Sequence, residues 1–229
     1  MNAGQGQILE LLLEDGYRYA RLSCPPDLIP ASGQYLLAGD SSDSPLPVPL
    51  FYTDSAPGGF IATATLPEAW KPGIELHLRG PLGRGFALPL SARSVGLVAL
   101  DDSPARLRGL IRPALKQGAA VVLVCESAVD ALPDEVEVQP LSALGEIAAW
   151  ADYLAFDVRR EKLDQLKGSL DHGFQPSAGK AAQVLVHAPV PCGGFAECGI
   201  CAVTMKSGWK MACKDGPVFD LRELEFRVP

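Results

Sequence analysis

Long apolar runs are missing from this 229-residue chain. The longest, "SVGLVAL" and "AAVVLVC", fall far short of the ~20 residues needed to cross a bilayer, so no membrane span is expected. No basic stretch leads into an apolar one at the amino terminus, and the expectation is a cytoplasmic protein. Positive charge is also scarce. With 20 Lys and Arg against 27 Asp and Glu, the net charge is −7, and no Lys/Arg cluster stands ready to neutralise phosphates. That argues against a nucleic-acid partner. There is no P-loop, no Ser–His–Asp set, no paired-carboxylate constellation, no internal repeat and no low-complexity tract. Cysteine is sparse too, at 6 residues, but 4 of these are Cys192, Cys198, Cys201 and Cys213. Thiols stay reduced in the cytoplasm, so such crowding suggests metal rather than disulfides.

What is present is an ordinary soluble composition, 48% hydrophobic and 21% charged, in a chain long enough for two modest domains and an appendage. From residue 6 to 90, "QILELLL", "YRYARLSC", "GQYLLAG", "VPLFYTD", "GFIATAT" and "IELHLRG" are strand-length stretches bounded by Gly, Pro, Asp or Ser. They predict an antiparallel β-barrel or sandwich over 1–92. The rhythm changes near Ser94. "SVGLVAL" and "AAVVLVC" read as strands buried on both faces of a parallel sheet. Between them "SPARLRGLIRPALKQG" predicts a helix capped by Ser103, begun by Pro104, ended by Gly118, with Leu107, Leu110, Ile111 and Leu115 on one face. Further alternation over 93–189 predicts an α/β domain with βαβ connections, and 190–229 a small cysteine lobe. The expected class is therefore multi-domain α+β.

The four cysteines are spaced C-x5-C-x2-C-x11-C. Four thiolates suit zinc or an iron–sulfur cluster. Structural zinc sites usually use two C-x2-C pairs, and only Cys198 and Cys201 form one here. A 2Fe–2S spacing of C-x4-C-x2-C with a distant fourth cysteine is closer. Gly193, Gly194 and Gly199 would let backbone N–H groups turn toward the sulfurs. "VTMKSGWKM" predicts a hairpin turning at Ser207-Gly208, with Phe195, Trp209, Met211 and Phe219 as candidate shields from water. Cys24 and Cys125 read as small buried hydrophobes. His187 reads as a hydrogen-bonded core histidine at a strand end, His77 as outward-facing and His172 as a loop residue. Reactive thiols, or a structural zinc site held by the same four cysteines in a non-redox scaffold subunit, stay open as the alternative.

"CGGFAECGIC", "CKDGPVF" and the barrel-closing "GIELHLRGPLGRGF" resemble the electron-transfer subunit of dihydroorotate dehydrogenase, a ferredoxin-reductase-like flavoprotein. The resemblance implies a 2Fe–2S cluster on Cys192, Cys198, Cys201 and Cys213. It also implies electron flow from NADH through FAD and the cluster to FMN in a separate catalytic subunit, hence a hetero-oligomer serving pyrimidine biosynthesis. The family's flavin motif, Arg-x-Tyr-Ser/Thr, matches "LFYT", so the resemblance places Tyr52 and Thr53 at FAD while Leu50 replaces the arginine. The departures continue. The first cysteine spacing has five residues rather than four, and Thr63-Ala64 stands for Gly-Thr. "HAP" from His187 stands for "CGP", and "LDDSPARL", with Asp101 and Asp102, stands where a glycine-rich phosphate loop belongs. FAD is thus left open, and NADH is not expected to bind.

Overall fold

In the computed structural model the described residues are 2–14, 17–40, 46–100, 103–127, 129, 131–171 and 180–225, with backbone only at 169–171. Asp101, Asp102 and His172 lie outside them. The predicted amino-terminal strands all form. They are β1 (Asn2–Glu14), β2 (Tyr17–Ser23), β3 (Tyr35–Gly39), β4 (Val48–Ala56), β5 (Gly59–Thr63) and β6 (Glu75–Leu82). Every neighbouring pair is antiparallel, and the order β1-β2-β5-β4-β3-β6 closes into a barrel, which leaves no free edge. Ile8, Leu22, Leu36, Leu50, Phe60 and Leu76 fill its interior.

Next come β7 (Ser94–Ala99), β8 (Ala120–Val124), β9 (Val136–Gln139), β10 (Tyr153–Arg159) and β11 (Ala181–His187), with the short helices α1 (Ile111–Lys116), α2 (Leu144–Trp150) and α3 (Leu163–Asp171). The last segment adds β12 (Ala202–Met205), β13 (Gly208–Met211) and β14 (Val218–Asp220). A six-stranded sheet runs β14-β11-β10-β7-β8-β9, parallel except for β14. Alternate residues of these strands feed two different cores: Val98, Phe156 and Val184 face one side, Leu97, Leu123 and Ala155 the other. Burial on both faces explains the unbroken apolar runs.

Two local expectations shift. The helix expected from Pro104 starts only at Ile111: Leu107 N–H reaches Pro104 O at 2.9 Å, and a 3-10 turn spans Arg108–Leu110. Pro113 has no N–H to give, which shortens the regular part further. Leu107, Leu110 and Ile111 are nonetheless buried as expected. The β12–β13 hairpin turns at Lys206-Ser207, one residue earlier than the sequence suggests, with Met205 opposite Gly208.

Several contacts fix the barrel against the rest. Arg108 pairs with Glu14 at 3.0 Å and Arg112 with Asp54 at 3.0 Å. Tyr35, Leu37, Phe51 and Leu82 of the barrel share a buried cluster with Leu185 and Val218 of the sheet. At the Gly80–Gly85 turn, the Arg84 N–H donates to Gly216 O. The turn thus receives the chain just beyond Cys213.

Candidate metal centre

Cys192 opens the cysteine loop straight after β11, and Cys201 precedes β12. Cys213 follows β13. Cys201 and Cys213 are buried and belong to the same core as Val158, Val186 and Phe219, while Cys192 is half-buried and Cys198 exposed. The sheet therefore anchors one pair of thiols and leaves the other toward solvent.

The loop backbone is wound for its task. Gly193, Gly194 and Gly199 have φ of 65°, 79° and 70°, and Ala196 has φ 62° despite its side chain. This left-handed region costs a non-glycine residue about 1 kcal/mol or more, so Ala196 is held there by its surroundings. The result is a set of inward N–H groups. Burial pushes the Cys192 thiol up, yet the N–H groups of Glu197, Cys198 and Phe195, with the Cys198 thiol, outweigh it and bring Cys192 down to about 6. Burial pushes Cys213 up to about 12, and Cys201 adds to this as hydrogen-bond partner and like charge, against one N–H from Ala196. Closely spaced thiols cannot all ionise alone, and a cationic centre removes that penalty.

The thiols stand as two contacting pairs, Cys192 with Cys198 and Cys201 with Cys213. Among the described residues, no three His, Cys, Asp or Glu side chains come together as one metal ion would need. Two dithiol pairs with N–H groups directed at sulfur offer thiolate ligands of the kind that zinc and iron–sulfur centres use.

Barrel residues that the sequence did not single out complete the surroundings. Tyr35 Oη donates to Cys213 O at 3.0 Å, and burial raises its own pKa, helped by the charges of Cys213, Cys201 and Cys192 and opposed by Arg79. Arg79 lies over the Phe195 ring at 4.5 Å. The expected shield is different from that foreseen. Phe219 is buried and Met211 half-buried, but Phe195 and Trp209 are 57% and 75% exposed. Aromatic residues default to burial, and only the loop geometry shows these two turned outward.

A cleft of about 620 Å³ lies between barrel and sheet, lined by Phe51, Thr63, Thr65, Ser103, Arg106, Arg159 and His187 among others. It sits at the carboxyl ends of β7, β10 and β11, beside the point where strand order reverses, the usual ligand position in such sheets. Arg106 Nε donates to both oxygens of the fully buried Asp157, at 3.0 and 2.9 Å, and its guanidinium stands 5.9 Å from the Phe51 ring centre. Burial and the positive charges of Arg106 and Arg159 hold His187 down to about 3, so it is neutral.

Tyr52 and Thr53 do not line this cleft. Tyr52 stacks on Phe60 at 6.0 Å and packs under Gly109, where an added side-chain carbon would lie 2.7 Å from its ring. Thr53 is buried at a β-bulge, its hydroxyl without a hydrogen-bond partner among the described residues. Strand alternation puts Phe51 at the cleft instead. Cys24 is half-buried and Cys125 buried, both far in sequence from the cluster, and His77 is exposed.

The family model for the iron–sulfur cluster binding domain of dihydroorotate dehydrogenase B matches residues 192–225. An NADH-dependent reduced ferredoxin–NADP oxidoreductase, described for flavin-based electron bifurcation, is 17% identical, with TM-score 0.74 over 96% of this chain and 90% of that one. The chain has a ferredoxin-reductase-like fold. Phthalate dioxygenase reductase, a modular protein for electron transfer from pyridine nucleotides to [2Fe-2S], shares the fold at 12% identity, TM-score 0.56, over 93% of this chain and 78% of its own. The ferredoxin reductase of carbazole 1,9a-dioxygenase does so at 16% identity, TM-score 0.61, over 76% and 64%. Residues 192–225 thus match an iron–sulfur cluster binding domain, and the chain as a whole shares its fold with these reductases. Among the described residues no helix is long and apolar enough to cross a membrane.

Proposed function

We propose that this chain is an electron-transfer subunit that carries a 2Fe–2S cluster and relays electrons to a partner oxidoreductase of the dihydroorotate dehydrogenase type. Cys192 and Cys198 would hold one iron, Cys201 and Cys213 the other. The observation that carries the reading is the arrangement of these thiols as two pairs with backbone N–H groups aimed at Cys192 and Cys213. Such a cluster, when bound, supplies one-electron chemistry. The chain's residues do the rest: the N–H donors offset the negative charge gathered on sulfur, the sheet core fixes Cys201 and Cys213, and Tyr35 ties Cys213 to the barrel. Exposed Cys198, Ile200, Phe195 and Trp209 on this lobe offer the surface through which a partner subunit would approach.

Protein purified without air should contain about two irons and two acid-labile sulfides per chain, with visible absorbance to match. Cys198→Ser or Cys201→Ser should abolish both, while Cys24→Ser and Cys125→Ser leave them unchanged. Stoichiometric zinc without iron would establish the scaffold alternative.

The cleft suits a flat, anionic cofactor: the Phe51 ring borders it, and Arg159 contributes positive charge near neutral His187, while Arg106 is engaged by Asp157. FAD is the proposed occupant. Leu50, buried in the barrel core, stands at the motif position of the family's arginine and cannot clasp a phosphate in two charge-assisted bonds, so FAD should be held weakly and partly lost on purification. A full equivalent of flavin surviving extensive dialysis would contradict this.

A further inference from the structure

Arg79 stands on β6, pinned between Ala3 of β1 and Leu37 of β3, with its side chain half-buried. Its guanidinium carbon is 4.5 Å from the centre of the Phe195 ring, which belongs to the loop between Cys192 and Cys198. The loop backbone passes close by: a side-chain carbon added at Gly193 would lie 3.1 Å from Arg79 Nη2. In a chain with 27 acidic residues, a half-buried arginine normally meets a carboxylate. Among the described residues Arg79 forms no ion pair. Its charge is instead offered to the cysteine loop from a rigid strand.

We propose that Arg79 is a positioning and charge-compensating residue that raises the reduction potential of the bound cluster. This rests on the iron–sulfur reading above. Reduction adds one negative charge among the four thiolates, and a fixed cation beside the loop favours that more negative form over the oxidised one. A role confined to packing is distinguishable, because a side chain that fills the same space without charge would preserve it.

The test is a mediated redox titration of the anaerobically purified full chain, followed by visible absorbance and electron paramagnetic resonance, with iron counted in every sample. Arg79→Gln and Arg79→Met should keep iron. At a fixed applied potential their ratio of oxidised to reduced cluster should rise at least tenfold, which is about 59 mV for a one-electron couple. Arg79→Lys, which keeps the charge, should stay within about threefold of wild type. Unshifted potentials in both neutral variants, or loss of iron from both, overturn the inference and leave Arg79 a packing residue. Wild-type protein holding zinc in place of iron overturns the cluster reading first and this inference with it.

Discussion

His187 shows how one side chain can report the electrostatics of the cleft. Burial, reinforced by Arg106 and Arg159, holds its pKa to about 3, against 6.5 ordinarily. Between those values the unfolded chain takes up a proton that the folded chain refuses, so lowering the pH through this window favours unfolding. The stabilising contribution is whole above pH 6.5 and gone once the pH falls through about 3. Urea midpoints should therefore drop more steeply for wild type than for His187→Gln between neutral pH and about pH 4. Parallel curves for the two proteins would mean that the imidazole is not held neutral by its neighbours. The expectation of a hydrogen-bonded core histidine is not met: His187 is half-buried, lines the cleft edge-on to Phe51, and its ring makes no hydrogen bond among the described residues. Neither arginine that acts on it was visible from "HAP". Arg106 is 81 residues away in sequence, and only the sheet brings them together.

At the scale of elements, the strands were the legible part. All six barrel strands announced themselves through bounding Gly, Pro and Asp, and β7 and β8 through continuous apolar runs, whereas β9, "VEVQ", gave no such signal. The face of β4 was not legible. "PLFYTD" alternates ambiguously, and the bulge between Tyr52 and Asp54 cannot be read from residue types, so the motif match fell on Tyr52 while Phe51 faces the cleft. The four cysteines and their glycines were readable because the chemistry is local. The barrel's share, Tyr35 and Arg79, was not, because it comes from strands more than a hundred residues earlier. The Gly80–Gly85 turn is a joint between elements. Gly83 has φ 75°, and a carbon added there would meet Gly216 O and Pro217 Cδ at 2.5 Å. Gly83→Ala should cost about 2 kcal/mol or more, because the obstacles are backbone and a rigid ring. Gly145, within α2, has nothing within 4 Å of the same position, so Gly145→Ala should gain about 0.5–1 kcal/mol. Denaturant midpoints that move together for these two variants would refute the joint.

For the whole molecule, the decisive question is where electrons enter. Direct reduction by NADH needs a seat for a pyrophosphate, and sheets of this kind provide it with glycines and free N–H groups at the first strand–helix turn. No glycine occurs between Gly96 and Gly109. Pro104 has no N–H, that of Ala105 is taken by Ser103 Oγ at 3.2 Å, and that of Leu107 by Pro104 O at 2.9 Å. Gly109 is committed to the barrel, where Tyr52 and Ser32 leave no room for a side chain. The regular helix α1 begins only at Ile111 and is six residues long, so it directs little dipole at the turn. Arg106 is already engaged by Asp157. The sequence between Leu100 and Ser103 adds Asp101 and Asp102, two charges of the wrong sign for a phosphate. NADH should therefore leave the anaerobic protein unreduced, and electrons would enter through another protein. Excess NADH added to the iron-bearing chain alone, with absorbance followed in the visible, checks this: slow or no bleaching is expected, followed by prompt bleaching with dithionite. Prompt bleaching by NADH itself would show that the domain found another way to seat the dinucleotide.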